Sequence, residues 1–161
     1  MLRALFFCLV CGVSHPAHPQ QGEPLPRYSL KGASFKPAGT LVIPFNRPYS
    51  ELPIEFKIAI KSHYQGMGDL DEPPFPLEGL AALYEPVIKV QSQMGAVGEF
   101  YAELKVDSSG IASEIAVKRS PSQAITNLVA GVALLTKFKP GICDGTPCAM
   151  SFPLTISFSR K

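Results

Sequence analysis

The sequence predicts an α+β protein, in which a small antiparallel sheet carries one main helix packed on a face. An irregular, proline-rich N-terminal region with one or two strands precedes this sheet. Residues 100–106 and 111–117 alternate apolar and polar side chains around a short turn, residues 120–135 space apolar side chains as a helix does, and residues 150–158 alternate again. The order strand, strand, helix, strand is typical of a sheet covered by a helix.

The first residues have the pattern of an export signal. A positively charged start is followed by the apolar run 4–13 and by small residues that suit a signal peptidase. We predict a signal peptide over residues 1–17, cleaved after Ser14 or Ala17, and a periplasmic or secreted location. The alternative is an uncleaved membrane anchor, although a bilayer requires about 20 apolar residues and Pro16 interrupts this run.

Charge and residue types argue against several classes of function. Lys and Arg number 15 against 13 Asp and Glu, and the longest basic run is Lys118-Arg119, so we expect no nucleic-acid partner. His63 is the one histidine beyond the N-terminal leader, and it has neither further zinc ligands nor a nucleophile motif beside it. The sequence therefore predicts no metal, no cofactor, no small-molecule substrate and no catalytic residue. We expect a binding protein and not an enzyme.

Proline divides the chain into two differently built parts. Of 16 prolines, 12 lie at or before Pro86. We predict a flexible leader over residues 18–40, accessory strands and a proline-rich loop over residues 41–79, and the principal domain over residues 80–161.

The region before the principal domain contains two strand candidates and one helix candidate. Residues 41–43 are a short apolar run, and Ile54 to Ile60 alternate apolar and polar residues as a strand does. Residues 80–94 have a weaker helical pattern, in which Pro86 is a candidate first residue of a second short helix. Whether residues 36–64 join the C-terminal sheet or form their own is left open.

The hairpin and helix of the principal domain have clear signals. The first strand places four apolar side chains on one face, the turn is Asp107-Ser108-Ser109-Gly110, and the return strand places Ile111, Ile115 and Val117 on one side. Ser120 is predicted to cap the helix, with Pro121 at its first position. The apolar stripe expected to face the sheet consists of Ile125, Leu128, Val129, Val132 and Leu135.

The last strand contains an unusual residue. Met150 to Phe158 alternate throughout, but Pro153 removes one backbone donor, which predicts an edge strand or a bulge. On an edge strand, the outward backbone groups would form a site to which a partner could add a strand; equally, Pro153 could simply protect the edge from aggregation. The predicted partner-binding edge consists of Ser151, Pro153, Thr155 and Ser157.

Cleavage of the signal would leave two cysteines in the mature chain. Cys143 and Cys148 flank the turn sequence Asp144-Gly145-Thr146-Pro147, so we predict a structural disulfide across a hairpin. A thiol redox enzyme is the alternative. Catalytic thiols, however, usually lie two residues apart at the start of a helix, and neither condition holds here.

Several segments of residues 95–161 resemble the C-terminal domain of the TonB family. The cysteine-flanked turn 144–147 looks like the family's turn before its final strand, and residues 71–76 look like the proline-rich approach to such domains. The matching motifs are Gly98-Glu99-Phe100-Tyr101, Val106-Asp107 with Gly110-Ile111, Val117 to Ser120, and Lys137-Phe138-Lys139-Pro140. The most specific of them is Lys137-Phe138-Lys139-Pro140.

The resemblance implies a periplasmic domain that binds a protein partner by strand pairing. The partner it implies is an outer-membrane receptor or another envelope protein. It also implies that Phe138 packs in the core against Phe152 or Phe158. The alternative function is a membrane-attached energy transducer, or an accessory of TonB-dependent outer-membrane transport. We expect contact with a membrane only if the signal stays uncleaved, because the chain has neither a credible anchor nor the long proline-rich spacer of full transducers.

Overall fold

The structure, a computed structural model, describes residues 44–159. The predicted signal peptide, the leader and the strand candidate at residues 41–43 lie outside the described residues. The helices are α1 (Ile54–Lys61), α2 (Ala81–Met94) and α3 (Gln123–Leu135), with a short 3-10 helix at Tyr49–Glu51. The strands are β1 (Phe75–Pro76), β2 (Gly98–Val106), β3 (Ala112–Arg119), β4 (Phe138–Lys139), β5 (Gly141–Cys143), β6 (Thr146–Cys148) and β7 (Met150–Phe158).

The principal sheet has three antiparallel strands in the order β3-β2-β7. The central strand β2 pairs with β7 along its whole length, from Gly98 opposite Phe158 to Val106 opposite Met150. Two-stranded pairs join β1 to β4 and β5 to β6. The predicted α+β class is confirmed at this level, with three α-helices in the described residues where one main helix was expected.

One face of the sheet and the helices enclose a single large core. Alternate residues of β2 and β7 point into it, because successive side chains of a strand point to opposite faces. The region before α2 contributes to the same core. Its residues 44–64, for which the sequence left open whether they join the C-terminal sheet or form their own, pack there through the 3-10 helix and α1 and form no strand of the principal sheet. The buried core members before α2 are Tyr49, Leu52, Ile60, Phe75 and Leu80, and those from α2 and α3 are Leu83, Val87, Ile125, Val129 and Ala133.

The segment from Ile54 to Ile60 is a helix, so the prediction of a strand was wrong. An apolar residue at every second position over seven residues also contains pairs spaced by four, and such pairs share a helix face. In α1 Phe56 packs partly buried against the core and Ile60 is 8% exposed. Ile54 and Ile58 are 68% and 61% exposed on the other side. Core contacts on one side therefore outweigh a β-like local pattern.

Helix α2 continues through Pro86, which does not open a second helix. Proline has no backbone N–H, so the carbonyl of Ala82 loses its helical donor. The helix nevertheless stays intact because Leu83 and Val87, on either side of Pro86, are both fully buried. It ends at Gly95, whose φ of 61° is the left-handed conformation common after a helix.

Helix α3 begins two residues later than predicted. Its cap is Ser122, whose hydroxyl accepts the Ile125 N–H at 3.3 Å. Ser120 instead donates its hydroxyl to the Ser122 carbonyl. Most of the predicted stripe does pack on the core, but Leu135 is 84% exposed because it is the last residue of the helix.

The β2–β3 hairpin has the predicted turn, and on its return strand Ile115 and Val117 pack partly buried against the core as predicted, whereas Ile111 does not. The Asp107 carboxylate accepts the N–H groups of Ser109 and Ile111 at 2.8 and 2.9 Å. The register shifts near Ser113: Lys105 lies opposite Glu114, but Val106 lies opposite Ala112. This irregularity buries Ala112 and leaves Ile111 51% exposed.

Candidate functional site

The outer edge of β7 is the best candidate for a binding site. β7 is an edge strand of the principal sheet, and among residues 44–159 it pairs only with β2. Pro153 lies opposite Glu103 in a register that continues without a shift. The proline therefore marks an edge position and not a bulge, and the prediction of an edge strand is confirmed.

Two tyrosines show which backbone groups of β7 point away from β2. The Tyr64 hydroxyl donates to the Ser151 carbonyl at 2.8 Å, and the Tyr84 hydroxyl donates to the Thr155 carbonyl at 3.3 Å. Because N–H and C=O groups of alternate residues point to the same side of a strand, every second residue shares this outward direction. The predicted edge residues are therefore together on the outward side: Ser151, Pro153, Thr155 and Ser157.

These tyrosines were missed at the level of sequence. They lie 87 and 71 residues from the carbonyls that they bind, and no local pattern relates residues so far apart. Tyrosine is protonated at neutral pH, and burial raises the pKa of Tyr64 further above its usual value and that of Tyr84 to about 12. Both hydroxyls therefore remain hydrogen-bond donors.

The sheet face opposite the core is polar and largely self-neutralising. Glu99 and Glu103 lie on it with Tyr101, and they form ion pairs with Arg119 and Lys118 respectively. Tyr101 is only 6% exposed and donates its hydroxyl to Glu103 at 3.3 Å. Burial, together with the nearby Glu103 carboxylate, raises the pKa of Tyr101. These carboxylates are thus explained as ion-pair partners on a strand face.

The predicted disulfide is present between Cys143 and Cys148. It joins β5 to β6, with the two Cα atoms 5.9 Å apart, a distance that suits a disulfide. The connecting residues Asp144 and Gly145 have φ values of 49° and 78°, as a tight hairpin turn requires. Cys143 is 3% exposed, and it packs with Tyr64 and Met150 in a second small core cluster.

The loop before α2 is anchored to this hairpin by Asp71. The carboxylate is 4% exposed and accepts the N–H groups of Asp144 at 2.8 Å and Gly68 at 3.1 Å. The next residue, Glu72, exchanges both backbone hydrogen bonds with Ile142. The segment interpreted from the sequence as a loop or linker is therefore packed against the C-terminal half of the chain.

Lys139 lies in a small charged cluster beside Tyr49. Its ammonium is 3.1 Å from the Glu72 carboxylate, 2.9 Å from the Pro140 carbonyl and 5.0 Å from the Tyr49 ring centre. Burial lowers the pKa of Lys139, and the hydrogen bond and charge of Glu72 oppose that shift. Since the ammonium already has a carboxylate and a carbonyl as partners, the cluster is best explained as a structural contact between β4 and the preceding loop.

Other surface features of residues 44–159 are weaker candidates for a functional site. A groove of about 480 Å³ between α2 and α3 is lined largely by Leu77, Ala82, Pro86, Val132 and Leu135. No group of three or more His, Cys, Asp or Glu side chains within residues 44–159 could hold a metal ion. Within that same range, no helix is long and apolar enough to cross a membrane.

No protein-family model matches this chain, and no curated protein matches it. The resemblance of residues 95–161 to the TonB family accordingly stays a prediction from the sequence motifs. Among the motif residues, Phe138 is 2% exposed and packs against Phe152 with ring centres 5.4 Å apart, so its predicted core position is confirmed.

Proposed function

We propose that this protein is an exported protein-interaction module, which binds an extended segment of a partner by adding it as a strand to β7. The observation that carries the proposal is the outer edge of β7, with which no strand of residues 44–159 pairs. Two of the outward carbonyls on this edge accept hydrogen bonds from tyrosine hydroxyls. Backbone groups on such an edge form hydrogen bonds with a partner strand largely independently of its side chains.

The cellular setting of this proposal comes from the sequence. The predicted signal peptide and the disulfide-forming cysteine pair favour the periplasm or the exterior. The resemblance to the TonB family favours an outer-membrane receptor or another envelope protein as the partner. On this proposal the activity is binding, and no side chain of the edge performs chemistry.

A proline scan of the outer edge tests the proposal. Thr155→Pro removes one outward N–H without removing a bond to β2, and Thr155→Ala removes the side chain but keeps that N–H. A photo-crosslinking residue at position 157 in expressing bacteria would first identify the partner segment, which is then made as a peptide and titrated against both variants. We expect near-normal binding by Thr155→Ala and about ten-fold weaker binding by Thr155→Pro, the loss expected for one or two hydrogen bonds.

The fold of both variants is checked by circular dichroism before the titration. Equal binding of the peptide by Thr155→Pro and the unchanged protein would contradict strand addition at β7.

A further inference from the structure

The two tyrosines whose hydroxyls bind outward carbonyls of β7, here called its caps, differ in how deeply they are buried and in the length of their hydrogen bonds. Tyr64 is 2% exposed, donates at 2.8 Å, and packs with Cys143 and Met150 in the cluster that contains the disulfide. Moving this ring away from Ser151 would open a buried cluster. The end of the edge at Ser151 is therefore closed by a side chain that belongs to the core.

Tyr84 caps the other carbonyl much more loosely. Its bond to Thr155 is 3.3 Å long, whereas O–H···O bonds are usually near 2.7–2.8 Å, and its ring is only partly buried where it packs against the core. Its ring also contacts Phe45, with centres 5.6 Å apart, and Phe45 is itself 43% exposed. A partner N–H could replace this hydroxyl, or share the carbonyl with it, since a carbonyl oxygen has two lone pairs.

The position of α2 also restricts the side chains of an incoming strand. Tyr84 reaches the outer edge from α2, so this helix lies beside the space that an added strand would occupy. Ile88 is one helical turn beyond Tyr84 on the same face and is 52% exposed. An added strand would direct every second side chain toward this helix.

We propose that the docking edge is confined to Pro153–Ser157, with Tyr64 as a fixed stop and Tyr84 as a displaceable cap, and that the partner segment carries an apolar side chain that packs on Ile88. The inference rests on the proposed function and adds to it a footprint and a chemical class of ligand. The outward groups in this footprint are the carbonyls of Pro153, Thr155 and Ser157 and the N–H groups of Thr155 and Ser157. The ligand is an extended segment with an apolar side chain on the face that meets α2.

Amide hydrogen exchange of the full mature protein, followed by NMR, tests the footprint. The probe is a capped synthetic peptide with the sequence of residues 98–106, GEFYAELKV, because it alternates apolar side chains and already pairs with β7 along the opposite edge. With saturating probe we expect exchange at Thr155 and Ser157 to slow at least ten-fold, and exchange at Ser151 to stay unchanged.

Substitutions in α2 separate the role of each side chain. Tyr84→Phe removes the competing hydroxyl and is expected to bind the probe up to a few-fold more tightly. Ile88→Asp is expected to weaken binding at least ten-fold. The matched control is Val90→Asp, which places the same charge on a residue that is 38% exposed on another face of the helix, and it should bind the probe normally.

The outcomes distinguish this inference from the proposed function. Protection that spreads to Ser151, or equal binding by the Ile88→Asp and Val90→Asp variants, would overturn the footprint and leave strand addition standing. Absence of protection at both Thr155 and Ser157 in every variant would overturn strand addition, and the footprint with it.

Discussion

At the residue scale, two glycines with similar backbone conformations have very different surroundings. Gly110 ends the β2–β3 turn with φ of 83°, and a Cβ there would lie 2.1 Å from the Phe138 carbonyl oxygen. Gly145 in the disulfide hairpin has φ of 78°, yet a Cβ there would meet nothing within 4 Å. Gly110 also accepts the Phe138 N–H at 3.0 Å, so the close approach fastens the hairpin to β4.

These glycines make a matched pair of substitutions. Gly145→Ala is expected to cost about 1–2 kcal/mol of unfolding free energy, because only the left-handed backbone penalises it. Gly110→Ala has that cost plus a steric clash with backbone, and we expect a further loss of about 1–3 kcal/mol. Urea unfolding of both variants measures the difference. Equal losses would show that the hairpin and β4 do not approach each other as described.

At the scale of elements, α1 is held by its inward side chains and not by its own propensity. It has only 8 residues, which is too short for a helix to be stable in isolation. The residue that precedes it, Pro53, makes no capping hydrogen bond through its side chain. The buried side of α1, represented by Ile60, therefore decides its conformation.

A pair of alanine substitutions distinguishes the helix from a strand. Ile60→Ala is expected to cost about 2–4 kcal/mol, since it removes a buried side chain from the core. Ile58→Ala, at a position that is 61% exposed, should change stability by less than about 1 kcal/mol. In a strand these two side chains would share one face and would give similar losses. Thermal unfolding of each variant gives the two values.

At the scale of the whole molecule, stability resides in a core to which distant parts of the chain contribute. Tyr49 and Phe75 from the N-terminal region pack in the same cluster as Phe100, Leu104 and Leu154 of the sheet. The disulfide, by contrast, joins residues only five positions apart. A short ring restricts the unfolded chain much less than a long one.

The reduced protein should therefore remain folded. Loss of the disulfide is expected to lower the unfolding free energy by about 2 kcal/mol, from the chain entropy of so short a ring. The comparison is thermal unfolding with and without a reductant, and the control is the double variant Cys143→Ala, Cys148→Ala, which a reductant should not affect. Global unfolding on reduction would show that the disulfide, and not the shared core, maintains the fold.

The sequence by itself determined those features whose causes are local. Strict alternation of apolar and polar residues predicted β2 and β7, and the turn residues Asp107 to Gly110 predicted the hairpin. Pro153 predicted an edge strand, and the cysteine spacing predicted the disulfide. Each of these follows from side-chain period, turn chemistry or a missing donor. None of them depends on a distant partner.

Only the tertiary structure decided the rest, because the deciding contacts join residues far apart in the chain. The alternation of Ile54 to Ile60 is compatible with a helix and with a strand, and burial of Ile60 in the shared core selects the helix. The β7 edge was predictable, but its caps were not. Tyr64 and Tyr84 are 87 and 71 residues from the carbonyls of Ser151 and Thr155 that they bind, and no periodicity in a sequence predicts contacts between residues so far apart.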